Sequence, residues 1–150
     1  MSKVMSMRFE PKIICTPVSV AYDKNGEVDL EKSSKSYHNF LYEMKEGAAG
    51  RDMIWDVSKT SSANGVAFAF VNRKKDEMYI YKIRTIIHGL QGGRAHWENK
   101  FVEQERPLVI LEPFTINKSW YDYLDAAGYN PRKPLQSTQA LRCPPSFLRG

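Results

Sequence analysis

The pattern of apolar positions is clearest in the middle of the chain, where it predicts a β-hairpin. Gly65 to Asn72 and Met78 to Ile87 are rich in β-branched and aromatic residues, and five charged residues join them. Two such runs around a short polar turn are typical of antiparallel strands. Side chains alternate across a strand, and both alternating faces of the first run are apolar. We therefore expect that strand to be central and covered on both sides.

A further strand is predicted on the amino-terminal side, from Lys12 to Tyr22, where β-branched residues are frequent. Pro17 interrupts this run, and proline cannot donate a hydrogen bond to a β-ladder. We therefore expect an edge strand or a strand with a bulge. The polar segment from Asp23 to Ser34 contains the turn-forming pair Asn25-Gly26, which predicts a loop or hairpin tip.

Two helices are predicted from apolar residues three or four positions apart. The first runs from about Ser36 to Glu46, after serines that can cap it. The second carries a stripe that starts at Ile116 and includes Trp120, and it ends at Gly128, a residue type expected just past a helix end. The remaining apolar runs predict short strands at Met53 to Val57 and Leu108 to Leu111.

Mixed strands and helices in a chain of 150 residues indicate one domain of the α+β class. Hydrophobic residues make up 42% and charged residues 26%, the balance of a globular protein. We expect the core to span about residues 10 to 128. Residues 129 to 150 carry four prolines and little periodicity, which predicts an extended or partly disordered tail.

Cysteine usage and hydropathy indicate an intracellular protein of the cytoplasm or nucleus. Cys15 and Cys143 lie near opposite ends of the chain, and the first residues do not combine a basic stretch, an apolar run and a cleavage site. The longest apolar runs are far shorter than the roughly 20 residues that cross a bilayer. We expect no membrane partner.

The charge balance favours an anionic partner. Lys and Arg number 22 against 17 for Asp and Glu, which gives a formal charge of +5 and a pI near 9.2. Nucleic acid is the commonest partner of a small basic domain, although such a surplus also serves solubility alone. Lys59, Lys82 and Arg84 are the candidates for contacts with a nucleic-acid backbone, because Lys82 and Arg84 share one face of the second hairpin strand.

Several kinds of site are disfavoured by spacing. His38, His88 and His96 are scattered, and neither cysteine lies near a second zinc ligand. No glycine-rich loop has the spacing of a nucleotide-phosphate site or of a dinucleotide fingerprint. We therefore expect no metal and no cofactor. Cys15 lies in an apolar run, which indicates an inert core thiol rather than a nucleophile.

One pattern that resembles a nuclease site remains. Glu98 and Lys100 place a carboxylate and an amine on one face of an extended segment, with Asp76 and Glu77 upstream as further carboxylates. A magnesium-dependent nuclease needs several convergent carboxylates to hold its metal. A small metal-dependent nuclease is therefore an alternative function.

A different constellation is typical of a pocket for a nucleobase. Trp55 stands at the end of a short strand and is followed by a polar loop from Ser58 to Asn64. A later glycine-rich loop supplies Arg94, His96 and Trp97. Aromatic rings can stack on a base, polar groups can bind its edge, and cations can bind phosphates.

Each of these residue types also has a structural use. Trp55 in an apolar strand is often a core residue, because tryptophan is usually largely buried. Trp97, in a segment next to glycines, is as compatible with burial as with exposure. The serines and Asn64 of the polar loop can simply cap turns.

The order of elements between Arg51 and Pro113 resembles the PUA-like superfamily, specifically its EVE and YTH branches. The resemblance rests on a strand-end tryptophan followed by serine, an aromatic-valine strand, a charged turn, a return strand, a tryptophan-bearing segment and a buried strand. The segments with defined boundaries are Ile54 to Ser58, Phe68 to Asn72, Tyr79 to Ile83 and Pro107 to Leu111.

This resemblance implies a small pseudo-barrel β-sheet packed with two or three helices. It also implies binding of modified bases in RNA or DNA, with Trp55 as a wall of the base pocket. Ser58 or Asn64 would then bind the edge of the base. Trp97 as a second wall is an expectation from the residues themselves.

We therefore expect a non-enzymatic nucleic-acid-binding module that accepts a modified or flipped base. The metal-dependent nuclease is one alternative. The other is a protein-interaction domain whose proline-containing tail, from Pro131 to Pro145, docks on a partner.

Overall fold

The computed structural model describes residues 10–57, 64–87 and 107–144. This part of the chain contains six strands and two α-helices, with one short 3-10 turn at Arg73–Lys75. The elements in chain order are β1 (Lys12–Pro17), α1 (Lys35–Ala48), β2 (Met53–Asp56), β3 (Gly65–Asn72), β4 (Glu77–Ile87), β5 (Leu108–Lys118), α2 (Trp120–Ala127) and β6 (Gln139–Arg142).

The six strands form one mixed sheet in the order β2-β5-β4-β3-β1-β6. β3 pairs antiparallel with β4 and parallel with β1. The predicted hairpin is confirmed: Phe70 lies opposite Tyr79, and Val71 lies opposite Met78. The α+β class is confirmed as well.

The predicted pseudo-barrel is wrong for the described part of the chain, because its sheet is open. β2 and β6 form the two edges and do not pair with each other. One face of a barrel sheet packs on itself around the barrel interior. Here α1 packs on one face of β3 and α2 on the other, so both faces are covered without closure.

The alternation of side chains along β3 builds two cores. Ala67, Ala69 and Val71 face α2 and pack with its Trp120 in one apolar cluster. Phe68 and Phe70 point to the opposite face and pack in a second cluster with Phe40 of α1. The small side chains of the first face leave room for the large Trp120 ring, which is fully buried.

β1 does not lie at a sheet edge, so that part of the prediction is wrong. It has β3 on one side and β6 on the other. The alternative prediction was a strand with a bulge, and the register of β1 against β3 does shift between Lys12 and Ile13. Pro17 is the last residue of β1, where its missing donor costs least.

Serine caps set the start of each helix. Ser34 accepts a hydrogen bond from the Tyr37 amide at 3.2 Å, and Ser119 accepts one from the Asp122 amide at 3.1 Å. The predicted helical position of Ile116 is wrong, because Ile116 lies in β5 opposite Ile80. Among the described residues, no helix is long and apolar enough to cross a membrane.

Gly128 ends α2 with φ at +78°, a left-handed conformation that costs a residue with a Cβ about 1–2 kcal/mol. We expect Gly128→Ala to lower the free energy of unfolding by about 1 kcal/mol, as measured by urea denaturation. Gly128→Asn is the matched control, because asparagine tolerates this conformation better. Equal stabilities of the alanine and asparagine variants would contradict the explanation.

The carboxyl-terminal segment completes the sheet. β6 pairs antiparallel with β1, so that Ile13 lies opposite Leu141. Leu135, Leu141 and Cys143 are buried in the cluster beneath α2. Described residues beyond 128 therefore contribute to the core as well as to the sheet.

Candidate nucleic-acid interface

The predicted pocket is only partly within the described residues. Trp55 and Asn64 are described, and so are Lys82 and Arg84. The predicted pocket and backbone-contact residues that lie outside the described residues are Ser58, Lys59, Arg94, His96 and Trp97.

Trp55 is placed among aromatic side chains of the core. It is 7% exposed, and its ring centroid lies 4.8 Å from that of Phe70, edge to face, and 6.3 Å from that of Phe68. Such packing of aromatic rings stabilises a core. The described contacts of Trp55 therefore favour its role as a core residue.

Asn64 lies just before β3 and is exposed. Its φ of +59° is left-handed, which asparagine tolerates, and its carbonyl oxygen accepts a hydrogen bond from the Lys12 amide at 2.9 Å. β5 and β4 lie between β2, which carries Trp55, and β3, which follows Asn64. The backbone of Asn64 therefore helps to position the start of β3 beside β1.

Lys82 and Arg84 are exposed on β4, as the alternation of side chains predicts. The Arg84 guanidinium lies 3.1 Å from a carboxylate oxygen of Asp52, in a half-exposed ion pair. This pairing partly neutralises Arg84, so Lys82 offers the less compensated charge of the two.

The two nuclease candidates within the described residues have other partners. Both carboxylate oxygens of Asp76 accept hydrogen bonds at the start of α2, from the Ser119 hydroxyl at 2.6 Å and the Tyr121 amide at 2.8 Å. Glu77 accepts from the Tyr79 hydroxyl at 3.1 Å. No group of three His, Cys, Asp or Glu side chains able to hold a metal occurs in the described ranges. The other two nuclease candidates, Glu98 and Lys100, lie outside these ranges.

The turn between β3 and β4 presents three consecutive cations, Arg73, Lys74 and Lys75, all exposed. We call these three residues the cationic turn. The Lys74 ammonium donates to the Val20 carbonyl oxygen at 3.1 Å. The Lys75 ammonium lies 4.7 Å from the centroid of the Tyr22 ring, within the range of a cation–π contact. These contacts anchor the turn to the segment that follows β1.

A groove of about 450 Å³ lies on one side of the cationic turn. Its lining includes Arg73 and Lys74 from the turn, Tyr121 from α2 and Ser19 from the segment after β1. Tyr121 is 48% exposed, so its ring is a surface feature and not part of the core. The groove therefore combines cations with an accessible aromatic ring.

A second hollow, of about 320 Å³, lies on the other side of the turn, over the face covered by α1. Half of its apolar lining residues are aromatic, and three residues with polar side chains, Asn72, Lys75 and Glu77, lie where it meets the turn. We call this hollow the tyrosine pocket, after its aromatic walls Tyr22, Tyr37, Phe40 and Tyr79.

Hydrogen bonds fix the polar groups of the tyrosine pocket. The Asn72 side-chain amide donates to the Tyr22 hydroxyl oxygen at 2.8 Å. Burial, and then the Glu77 carboxylate, raises the pKa of Tyr79 to about 12. Burial also raises the pKa of Tyr37 above its ordinary value. Both phenols therefore stay protonated and neutral near pH 7.

Comparisons of the chain with protein-family models, with curated proteins and with solved structures found no match. The resemblance to the PUA-like superfamily stays a prediction.

The tyrosine pocket was not predicted from the sequence. Tyr22 ends the first predicted strand, Tyr37 lies on a helical stripe, and Tyr79 lies in the hairpin. Each residue has an ordinary structural explanation in its own element. Only the packing of α1 beside the β3–β4 turn brings their rings together, and no local spacing encodes that packing. The excess of tyrosine, with eight in the chain, is the one signal in the sequence.

Proposed function

We propose that the chain is a nucleic-acid-binding module in which a single strand passes over the end of the sheet that carries the cationic turn. The observation that supports this proposal is the position of the cationic turn between the groove that carries Tyr121 and the tyrosine pocket. Cations that follow one another along an exposed turn can contact successive phosphates. Aromatic rings on both sides offer stacking surfaces for bases, a combination typical of proteins that bind single strands.

The electrostatics of the turn favour binding to an anion. In the described part of the chain, no ion pair joins Arg73, Lys74 or Lys75 to a carboxylate. By contrast, Arg84 has Asp52 as its partner. The cationic turn is therefore a stronger candidate for the phosphate contact than the β4 pair predicted from the sequence.

The finer expectation, a modified or flipped base held against Trp55 in a PUA-like pocket, is a separate part of the proposal. It rests on the resemblance and on residues outside the described ranges. The core packing of Trp55 does not support it, whereas the proposal for the cationic turn uses described residues alone.

Binding of labelled single-stranded RNA and DNA, followed by fluorescence anisotropy at several salt concentrations, tests the proposal. Changing Arg73, Lys74 and Lys75 together to glutamine removes three cations. If each contacts one phosphate, the slope of log affinity against log salt concentration should become shallower by about 2, because each contact contributes about 0.7 for a single strand. We expect the affinity at physiological salt to fall at least about tenfold.

The matched control changes Lys32, Lys45 and Arg132 together to glutamine. These three residues are exposed, lie outside both hollows and carry the same total charge. A second variant, Lys82→Gln with Arg84→Gln, tests the surface predicted from the sequence. Equal losses in the two triple variants would show that net charge alone is responsible, and binding that does not depend on salt would contradict the proposal.

A further inference from the structure

We propose that the tyrosine pocket holds one unpaired nucleobase of the strand whose phosphates contact the cationic turn. This inference rests on the proposed function and adds to it the place and the chemical class of the recognised group. The site differs from the one that the sequence predicts around Trp55, which does not line this pocket.

The size of the pocket and its solvent-exposed opening, which we call the lip, fit a nucleobase. Its volume of about 320 Å³ lies at the lower end of the range for small-molecule sites, which suits one base. Met44 and Val28 line it and are 37% and 41% exposed, more than core residues would be. The apolar surface is therefore open to solvent at the lip, where a planar ring can enter.

The walls offer faces on which a base can stack. The accessible faces belong to Tyr37 and Tyr79, which are partly exposed and pack on the buried Phe40 ring with centroids 6.3 Å and 5.4 Å from it. These tilted rings form a concave aromatic surface between α1 and β4. Every base has a flat π-face, so such a surface binds bases with little dependence on sequence.

The polar groups give the base an orientation. Since the Tyr22 oxygen accepts the hydrogen bond from Asn72, the Tyr22 hydroxyl proton remains able to donate elsewhere. The Tyr79 hydroxyl donates to Glu77, which leaves its oxygen able to accept. A donor and an acceptor therefore lie in the same pocket, as hydrogen bonding to the edge of a base requires.

The pocket must also distinguish a base from a methylated ammonium group, which binds to aromatic cages as well. Lys75 and Glu77 both line the pocket, so their opposite charges offset each other. The Lys75 ammonium already lies over the Tyr22 ring, 4.7 Å from the centroid, and the Glu77 carboxylate accepts from the Tyr79 hydroxyl. Both charges therefore have partners at the pocket, and a neutral ring enters such a lining at a lower desolvation cost than a cation does.

The test compares single-stranded oligonucleotides with abasic strands of the same length, which keep the sugar–phosphate chain. We expect the unchanged protein to bind the base-containing strand more tightly. Tyr37→Leu should weaken binding of that strand about 5- to 150-fold and leave the abasic strand unaffected. The matched control is Tyr42→Leu, on the same helix and outside the pocket, where Tyr42 is 41% exposed.

A second variant distinguishes a blocked pocket from a loss of folding. Met44→Trp adds bulk at the partly exposed lip, so it should block the base and preserve the melting temperature. If neither Tyr37→Leu nor Met44→Trp changes the affinity for either strand, the tyrosine pocket does not hold a base. The proposed function would still stand in that case. A protein that binds neither strand would overturn the proposed function itself. Tight binding of a trimethyllysine peptide, lost in Tyr37→Leu, would overturn the nucleobase in favour of a cation.

Discussion

Replacing Trp55 by alanine is expected to lower the free energy of unfolding by about 3–5 kcal/mol. The indole ring is 7% exposed and packs edge to face on Phe70, so its removal opens a cavity beside Phe70 in the core. Chemical denaturation followed by circular dichroism measures the change. We expect a sharp fall in melting temperature as well.

Tyr121→Ala is the control for Trp55→Ala, since Tyr121 is an aromatic residue that is 48% exposed. Its stability should stay within about 0.5 kcal/mol of the parent. A Trp55→Ala protein that keeps its stability and loses its affinity for oligonucleotides would contradict the core assignment. That result would instead support the base pocket that the resemblance to PUA-like domains implies.

Replacing Asp76 by alanine is expected to cost about 2–3 kcal/mol of stability, although Asp76 lies in a turn. Its carboxylate accepts hydrogen bonds from the Ser119 hydroxyl and the Tyr121 amide, which join the β3–β4 turn to the start of α2. Asp76 also has a φ of +55°, which aspartate tolerates better than alanine does. Urea denaturation measures the loss.

Asp76→Asn separates these contributions, because asparagine keeps one acceptor oxygen and the tolerance of a left-handed backbone. We expect it to lose less than half as much stability as Asp76→Ala. The two variants would lose the same amount if the negative charge at the helix start were the main contribution. An unchanged stability in Asp76→Ala would show that the link between the turn and α2 is not stabilising.

The features that the sequence predicted well are local ones. Alternation in residues 65–87 and the charged turn define a hairpin with no reference to the rest of the chain. Gly128 marks the end of α2 for a similarly local reason, its left-handed φ. By contrast, the parallel pairing of β1 with β3 joins residues about fifty positions apart, such as Ile14 and Phe68, and no pattern in either strand selects the partner.

The wrong prediction for Ile116 shows that apolar spacing alone does not distinguish a helix from a strand. Ile116 lies four residues before Trp120, a helical spacing, yet it belongs to β5 and lies opposite Ile80. The helix starts later because Ser119 caps it and Asp76 accepts a hydrogen bond from the Tyr121 amide. The sequence analysis predicted neither this cap nor its partner Asp76 in the β3–β4 turn.

The candidate site likewise has features that follow from local sequence and features that depend on tertiary packing. The exposure of Lys82 and Arg84 follows from simple alternation on β4. The tyrosine pocket depends on where α1 packs, so its aromatic walls could not be grouped in advance. The sequence predicts the cationic turn as a charged loop, but the hollows on each side of it depend on tertiary packing.

The pairing of β6 with β1 also determines the order in which the protein can fold during synthesis. Thr16 and Thr138 share a hydrogen bond across 122 positions of sequence. A ribosome makes β1 first among the described strands, but the partner that covers its outer edge emerges last. Closing so long a loop costs chain entropy before any contact compensates it, which slows folding. Throughout translation, the side of β1 facing away from β3 therefore stays open as an unpaired strand edge.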